Sequence, residues 1–284
     1  MMLLRRLLLF FILLLAAPAL AVPALWTASK NGRTITLYGT IHALPQGTDW
    51  FTPKARAAFS TANTLVVEMV PPKGPGATAE LMQQIGFLPA PVPIESRLPA
   101  DVQARYAAVK PGIPAQMLDT MKSWLAAISL VQLEMLGNGI DPAAGVDVTL
   151  LQRAQAAGTR TLGLETPRGQ LELFNGLPEA EQRLLLAAAV TDIGKSGEMM
   201  RGLIAMWLAG DVERIRRDFD DSGLSPELER RLLRDRNAAW ADFVARGKAP
   251  GRRVFMAVGA AHMAGPDSLI EMLKARGFKV RRVE

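Results

Sequence analysis

The order of apolar and polar residues predicts strands towards both ends of the chain and helices between them. Residues 25–40 form two short β-rich runs around Asn31-Gly32, a pair that favours a two-residue hairpin turn. Residues 64–70 and 252–260 are rich in β-branched and other apolar residues, which is typical of strands buried on both faces. Because a segment of helical composition separates the hairpin from 64–70, we expect a right-handed parallel strand–helix–strand unit.

The middle of the chain has the three- and four-residue spacing of apolar positions that indicates helices. Long helices are predicted at residues 114–136, 179–208 and 226–246. Shorter helices are predicted at 80–85, 101–109, 147–157 and 267–276, with Asp147 as the N-terminal cap of its helix. Strands are expected at 159–165 and, at the sheet edge, at 278–283. The predicted fold class is α/β: a central mixed, largely parallel β-sheet flanked by helices, with a helical insertion in the middle of the chain.

The first 21 residues have the features of a secretory signal peptide. Arg5 and Arg6 precede an unbroken apolar run at 7–15, and Ala19-Leu20-Ala21 offers a small-x-small cleavage sequence. An uncleaved anchor is the alternative, but the run is well short of the ~20 residues that span a bilayer. We therefore expect a signal peptide at 1–21, a single domain at 22–284, export to the periplasm or the medium, and no stable membrane anchor after cleavage.

Composition narrows the chemistry that the chain can perform. With 49% apolar residues and no cysteine, the fold must rest on core packing rather than on disulfides. The absence of cysteine also excludes thiolate metal ligands and cysteine nucleophiles. The net charge of +6 is small for 284 residues, and aromatic residues make up only 6%. Without a stripe of basic and stacking residues, nucleic acid is not an expected partner.

The two histidines of the chain occur in the same short pattern. His42 and His262 each end a Gly-x-x-His sequence that follows a predicted strand. Two glutamates, Glu68 and Glu165, also stand where predicted strands end. Ligands of open α/β sheets bind beyond the carboxyl ends of the parallel strands, so neighbouring strands would gather these four side chains at one site. Taken singly, each of the four is also compatible with a structural role at a strand end or in a loop.

Arg236 is a fifth candidate. It lies three or four positions from Leu232, Leu233, Ala239 and Trp240, and therefore on the apolar face of its predicted helix. A guanidinium placed there needs a carboxylate partner. That partner is a glutamate of the site, the carboxylate of a substrate held bidentately, or an aspartate in a purely structural ion pair.

The chain resembles the TraB/GumN family, to which the Wnt-cleaving TIKI proteins are related. The resemblance implies an α/β fold shared with ChaN-like and erythromycin-esterase-like proteins, and for the TIKI branch a manganese- or cobalt-dependent protease. Carried over by position, it implies a site of His42, Glu68, Glu165, Arg236 and His262. Within this site we predict four catalytic residues (His42, Glu68, Glu165 and His262), of which His42, Glu68 and His262 are metal ligands, and we predict that Arg236 binds the substrate. The resembling stretches are residues 25–45, 64–70, 145–166, 232–240 and 254–280.

Three functions are compatible with these residues. The first is an exported metal-dependent hydrolase, peptidase-like, in which a divalent ion (manganese, cobalt or zinc) acts on a peptide or envelope-related substrate. The second is a metal-free, esterase-like hydrolase that uses a histidine as its base. The third is a non-enzymatic module that binds a peptide or a polysaccharide, with Arg236 holding a carboxylate.

Overall fold

The computed structural model describes residues 22–72, 74, 76–109 and 112–284. The predicted signal peptide at 1–21 therefore lies outside the described residues. Within the described part of the chain, no helix combines the length and the apolar character needed to cross a membrane.

A six-stranded sheet forms the centre of the molecule. Its strands, in spatial order, are β6, β4, β7, β2, β1 and β8. The four strands from β6 to β2 are parallel, whereas β1 and β8 are antiparallel to their neighbours. The strands are β1 (Leu25–Lys30), β2 (Arg33–Thr40), β4 (Thr64–Met69), β6 (Arg160–Glu165), β7 (Arg253–Gly259) and β8 (Lys279–Arg282); the short strands β3 (Leu44–Pro45) and β5 (Ile140–Asp141) pair separately.

Helices follow the strands and fill the middle of the chain. The helices of the first half are α1 (Pro53–Ser60), α2 (Ala77–Gly86), α3 (Ala100–Val109), α4 (Ala115–Thr120), α5 (Ser123–Gly137) and α6 (Val146–Ala156). Those of the second half are α7 (Pro167–Asn175), α8 (Glu179–Thr191), α9 (Ser196–Leu208), α10 (Val212–Asp220), α11 (Pro226–Glu229), α12 (Asp235–Ala245) and α13 (Leu269–Ala275). A π-helical turn at Arg230–Arg234 joins α11 to α12, and a 3-10 turn at Ala260–Met263 follows β7.

The predicted fold class is confirmed: the structure is α/β, with a largely parallel central sheet flanked by helices. The hairpin also forms as predicted, since Asn31 and Gly32 both have the positive φ angles that its turn requires. One group of buried side chains covers the two faces of the sheet. A second group, which includes Ile94, Trp124 and Leu186, belongs to the helical insertion.

The prediction of one long helix at 114–136 is wrong. The helix stops after Thr120 and restarts at Ser123, because Met121 is extended and bridges to Phe87. The buried guanidinium of Arg97 donates hydrogen bonds to the carbonyls of Leu118 and Met121, at 2.8 and 2.7 Å. The Leu118 carbonyl also accepts the amide of Met121 at 3.1 Å, so the guanidinium adds a second bond there and links both sides of the break.

The predicted helix at 179–208 is likewise two helices, α8 and α9. The chain turns between them at Gly194, which has a φ of 90°. The carboxylate of Glu134 accepts hydrogen bonds from the amides of Gly194 and Ser196 and so supports the start of α9. Helix α7 was not predicted, and α10 was given no range although Arg214, Arg216 and Arg217 were expected to lie in a helix; both helices have only nine residues, too few for a long run of apolar residues at helical spacing.

Candidate active site

The structure brings together the four polar side chains found at the ends of predicted strands. His42 lies two residues beyond β2, Glu68 is the penultimate residue of β4, and Glu165 ends β6. His262 lies in the 3-10 turn that follows β7. Because these four strands are parallel neighbours, the four residues share the carboxyl edge of the sheet.

Arg236 lies at the centre of this group. Its Nε and Nη2 bind both carboxylate oxygens of Glu165, at 2.7 and 3.0 Å, and Nη2 also donates to Glu68 at 2.6 Å. Its Nη1 donates to the carbonyl of Leu232 at 3.0 Å and faces Nε2 of His262 at 3.2 Å. All five N–H groups of the guanidinium are thus engaged within the protein. A substrate carboxylate would have to displace one of these contacts.

Glu68 is buried, with only 6% of its surface exposed. Its Oε1 accepts a hydrogen bond from the amide of Gly259 at 2.7 Å, and its Oε2 accepts one from Gln170 at 3.2 Å in addition to that from Arg236. Desolvation acts against ionisation, but the charges of His42 and Arg236 and the hydrogen bond from the Gly259 amide hold the pKa of the Glu68 carboxyl well below its usual range. Glu68 is therefore an ionised acceptor inside the protein.

The hydrogen bonds of His262 define its protonation. Its Nδ1 lies 2.8 Å from the side-chain oxygen of Asn237. The Asn237 side-chain nitrogen donates to the carbonyl of Asp267 at 2.8 Å, so the amide oxygen is the atom that faces the ring. Nδ1 therefore carries the proton, and Nε2 offers its lone pair to the site. Burial lowers the pKa of His262 to about 3, which keeps the imidazole neutral at neutral pH.

His42 lies at the mouth of the site, with 67% of its side chain exposed. Its Nδ1 lies 2.8 Å from a carboxylate oxygen of Asp147, and the other oxygen of Asp147 accepts a hydrogen bond from the hydroxyl of Thr40 at 3.1 Å. Desolvation disfavours the charged ring, but the hydrogen bond to Asp147 and its charge raise the pKa of His42 above its ordinary value. Since a carboxylate can only accept, Nδ1 carries a proton and Nε2 faces the site.

The interpretation of Asp147 as a helix cap is wrong. Helix α6 already begins at Val146, its N-terminal cap is Gly145, and Asp147 lies within the first turn. The amide of Val146 donates to the carbonyl of Ile41 at 3.1 Å, and a side chain at Gly145 would collide with the carbonyl of His42. This close approach of the helix to the end of β2 places the Asp147 carboxylate opposite the His42 ring.

Both histidines and Glu68 border one small space above Gly259. A Cβ atom added to Gly259 would lie 3.2 Å from Glu68 Oε1, 3.6 Å from His262 Cδ2 and 3.8 Å from His42 Nε2. The absence of a side chain at Gly259 keeps this space open. The two Gly-x-x-His sequences thus contribute to a single site.

Comparison with known proteins gives the family of the chain. The model of the TraB/PrgY/gumN family matches residues 24–282. The chain belongs to this family. Neither the curated proteins nor the solved structures contain a match to it. The family match includes both Gly-x-x-His sequences of the site.

The site of this TraB/PrgY/gumN family member contains the types of donor atom that bind a divalent metal ion. Two imidazole Nε2 atoms and Oε1 of Glu68 are the donor types that manganese, cobalt and zinc accept, and each Nδ1 is held by a side-chain oxygen. His262 Nε2 and Glu68 Oε1 are 3.9 Å apart. Within the described residues, no group of three histidine or carboxylate side chains already has the arrangement of a metal site. To bind an ion, His262 would have to exchange its contact with Arg236 for it.

Three neighbours of the site were not predicted from the sequence. Asn237 orients His262, and Gln170, near the start of α7, binds Glu68. Trp240 donates its indole N–H to Glu165 at 3.1 Å. The centroid of its ring lies 4.6 Å from Cζ of the Arg236 guanidinium. The sequence did hold a signal for Trp240, because it is four residues from Arg236 and hence on the same helix face.

Proposed function

We propose that this protein is an exported metal-dependent hydrolase that cleaves peptide bonds. His42, Glu68 and His262 would hold the ion, and Glu165 and Arg236 would keep these ligands in place. The proposal rests on the similar hydrogen bonding of the two imidazoles. Each has its Nδ1 bound by a side-chain oxygen, from Asp147 or Asn237, and such a partner is characteristic of metal-ligating histidines.

A manganese, cobalt or zinc ion, when bound, would polarise the carbonyl of the scissile bond and lower the pKa of a water molecule. Glu68 would stay ionised, because Arg236 and the amide of Gly259 stabilise its carboxylate. Glu165 would remain paired with Arg236 and fix the direction of the guanidinium. His42, the most exposed of the group, would meet the substrate first and would direct its Nε2 lone pair towards the ion, because its Nδ1 is held by Asp147.

A metal-free hydrolase is the second candidate, and one contact favours it. Arg236 Nη1 occupies the lone pair of His262 Nε2, which leaves His42 as the accessible imidazole. With its Nδ1 bound to Asp147, His42 has the orientation of a general base supported by a carboxylate. This alternative uses His42 but not His262 in the reaction.

Export is part of the proposal. It rests on the basic start, the apolar run and the cleavage sequence in residues 1–21. N-terminal sequencing of the protein recovered from outside the cytoplasm should begin at or near Val22. Recovery of an intact Met1 on membrane-bound protein would contradict the proposed cleavage.

Metal binding is tested by calorimetric titration of protein purified without chelators. The dependence of activity on metal is tested by peptide turnover with and without manganese. We expect the wild type to bind one ion, and H42A and H262A each to lose most of the affinity and the turnover, since no cysteine or further histidine can substitute. The double variant should be little worse than either single one. E68Q should behave like the histidine variants. E172Q, which changes a partly exposed glutamate of α7, is the matched control.

The three candidate functions give different results in this experiment. Turnover that needs no metal and survives H262A but not H42A would favour the metal-free hydrolase. A chain that binds no ion and cleaves neither peptides nor esters would match the third candidate, a binding module. Circular dichroism of each variant shows whether the fold is kept, since unfolding of H42A and H262A would mean that both histidines are structural.

A further inference from the structure

An apolar pocket adjoins the candidate active site. The cavity has a volume of about 230 Å³ and lies between the site and the helical segments α9, α10 and the π-helical turn. His42, Glu68, Arg236 and His262 border it on one side. Most of the remaining wall is apolar and includes the side chains of Leu203, Trp207, Ile215, Phe219, Leu232 and Ala261.

The side chains of this wall offer no free hydrogen-bonding group. Trp207 is the one with a polar atom, and its indole N–H already donates to the carbonyl of Gly39 at 2.8 Å. Thr40 also borders the cavity, but its hydroxyl donates to Asp147. A polar group of a ligand that entered the pocket would lose its bonds to water and gain none from these side chains, which is costly. The pocket therefore favours an apolar group.

The volume limits the size of that group. A cavity of roughly 150 Å³ lined by apolar side chains takes up one benzene molecule. The volume of about 230 Å³ includes the space beside His42, Glu68 and Gly259, so the apolar part of the pocket can hold one side chain no larger than leucine or phenylalanine. It is smaller than the roughly 300–1,000 Å³ of sites that enclose drug-sized ligands. The sugar rings of a polysaccharide would in addition bring several hydroxyl groups without partners.

We infer that the pocket is a specificity site for a peptide substrate and binds a leucine- to phenylalanine-sized side chain. The same cavity is bordered by His42 and Glu68, so the backbone carbonyl of the bound residue lies beside the groups that would act on it. This inference rests on the proposed function, because it names the substrate class of that same site. It selects an apolar peptide over an envelope polysaccharide.

The test measures binding and needs no turnover. The probes are N-acetyl-leucinamide, N-acetyl-phenylalaninamide and N-acetyl-serinamide, titrated into the full protein and followed by nuclear magnetic resonance. We expect the leucine probe to bind at least about tenfold more tightly than the serine probe. A261L, which fills the pocket, should weaken the leucine probe by about tenfold or more. A104L, the same change at an exposed position of α3, is the matched control and should have no effect.

Because Ala261 is next to His262, A261L could also disturb the histidine. A second variant therefore changes the pocket at a distance from His262 in the sequence. Phe219 lies in α10, outside the catalytic group, and F219A enlarges the pocket. Its preference should shift from the leucine probe towards the phenylalanine probe. Equal binding of the leucine and serine probes to the wild type would overturn the inference, as would an unchanged preference in both variants.

The inference and the proposed function fail in different ways. If the leucine probe binds selectively but no peptide is cleaved with any metal, the pocket stands and the proposed hydrolysis fails. If peptides are cleaved without preference for an apolar residue, the hydrolysis stands and the inferred specificity is wrong.

Discussion

Replacement of Arg236 by methionine should destabilise the protein more than almost any other single change. Methionine keeps the length of the side chain but removes every hydrogen bond of the guanidinium. The side chain of Arg236 is only 13% exposed, and those of Glu68 and Glu165 are 8% and 17% exposed. Without the arginine, two carboxylates remain in a mostly buried site with no counter-charge from a guanidinium.

The expected loss is about 3–5 kcal/mol of unfolding free energy at pH 7, the usual effect of removing one partner of a buried ion pair. Two features keep the loss within this range. Glu68 retains the hydrogen bonds from Gly259 and Gln170, and Glu165 retains the one from Trp240. Either carboxyl can also take up a proton, which removes the uncompensated charge.

Urea unfolding followed by circular dichroism measures this loss. The matched control is R234M, two residues earlier, where the arginine is 61% exposed and lies 4.0 Å from Asp267. An exposed pair of this kind contributes only about 0–1 kcal/mol. The double variant R236M/E165Q should recover part of the stability, because it removes one of the two unpaired charges. If R236M cost no more than R234M, the central ion-pair network would not exist in solution.

Three further changes test individual parts of the site. D147N should weaken metal binding by about 10–100-fold in calorimetric titration while the fold is kept, because His42 loses the carboxylate that orients it. G259A should abolish peptide turnover at little cost in thermal stability, since the added methyl group fills the space between the ligands, whereas G202A meets no atom and is the control. Acidification from pH 7 to pH 4 should lower the unfolding free energy, because unfolded His262 takes up a proton at a pKa of about 6.5 and the folded residue only near 3. Urea unfolding across this pH range should show a weaker dependence in H262Q, and an unchanged one would contradict the assignment.

The sheet and its polar edge could be predicted because each depends on local sequence and on a general rule of topology. Apolar runs such as 64–70 have few alternatives to a buried strand. Parallel strands then bring their carboxyl ends to one edge, whichever order they adopt. The position of Glu68 within such a run was the clearest signal, since a carboxylate there needs specific partners. The strand order itself, with β7 between β4 and β2, was not predicted.

The breaks in the long helices could not be predicted, because the groups that stabilise them are distant in sequence. Arg97 binds the carbonyls at the break near Met121, and Glu134 binds the amides at the start of α9. Helical spacing of apolar residues continues across both breaks, so the local pattern alone favours one helix. The same limit explains the error at Asp147. An aspartate near the start of a helix is commonly a cap, and only the tertiary structure shows that His42 lies opposite it.

The balance of charge in the site connects its structure with the proposed chemistry. Glu68 and Glu165 each carry a negative charge, Arg236 carries one positive charge, and His262 is neutral at neutral pH. At the mouth of the site, Asp147 adds a negative charge that is offset only while His42 is protonated. The group therefore has a net charge of about −1 with His42 protonated, and of about −2 once Nε2 of His42 has lost its proton to bind an ion, in surroundings where charge is poorly screened. A cation is the kind of ligand that such a site attracts, and two imidazole nitrogens beside a carboxylate are the donors that a divalent metal ion accepts.

The same balance of charge disfavours a substrate carboxylate. It would add a further negative charge to the site, and Arg236 is already engaged by Glu68 and Glu165. The charges of the site thus favour a metal ion at the ligands and an uncharged peptide bond beside it.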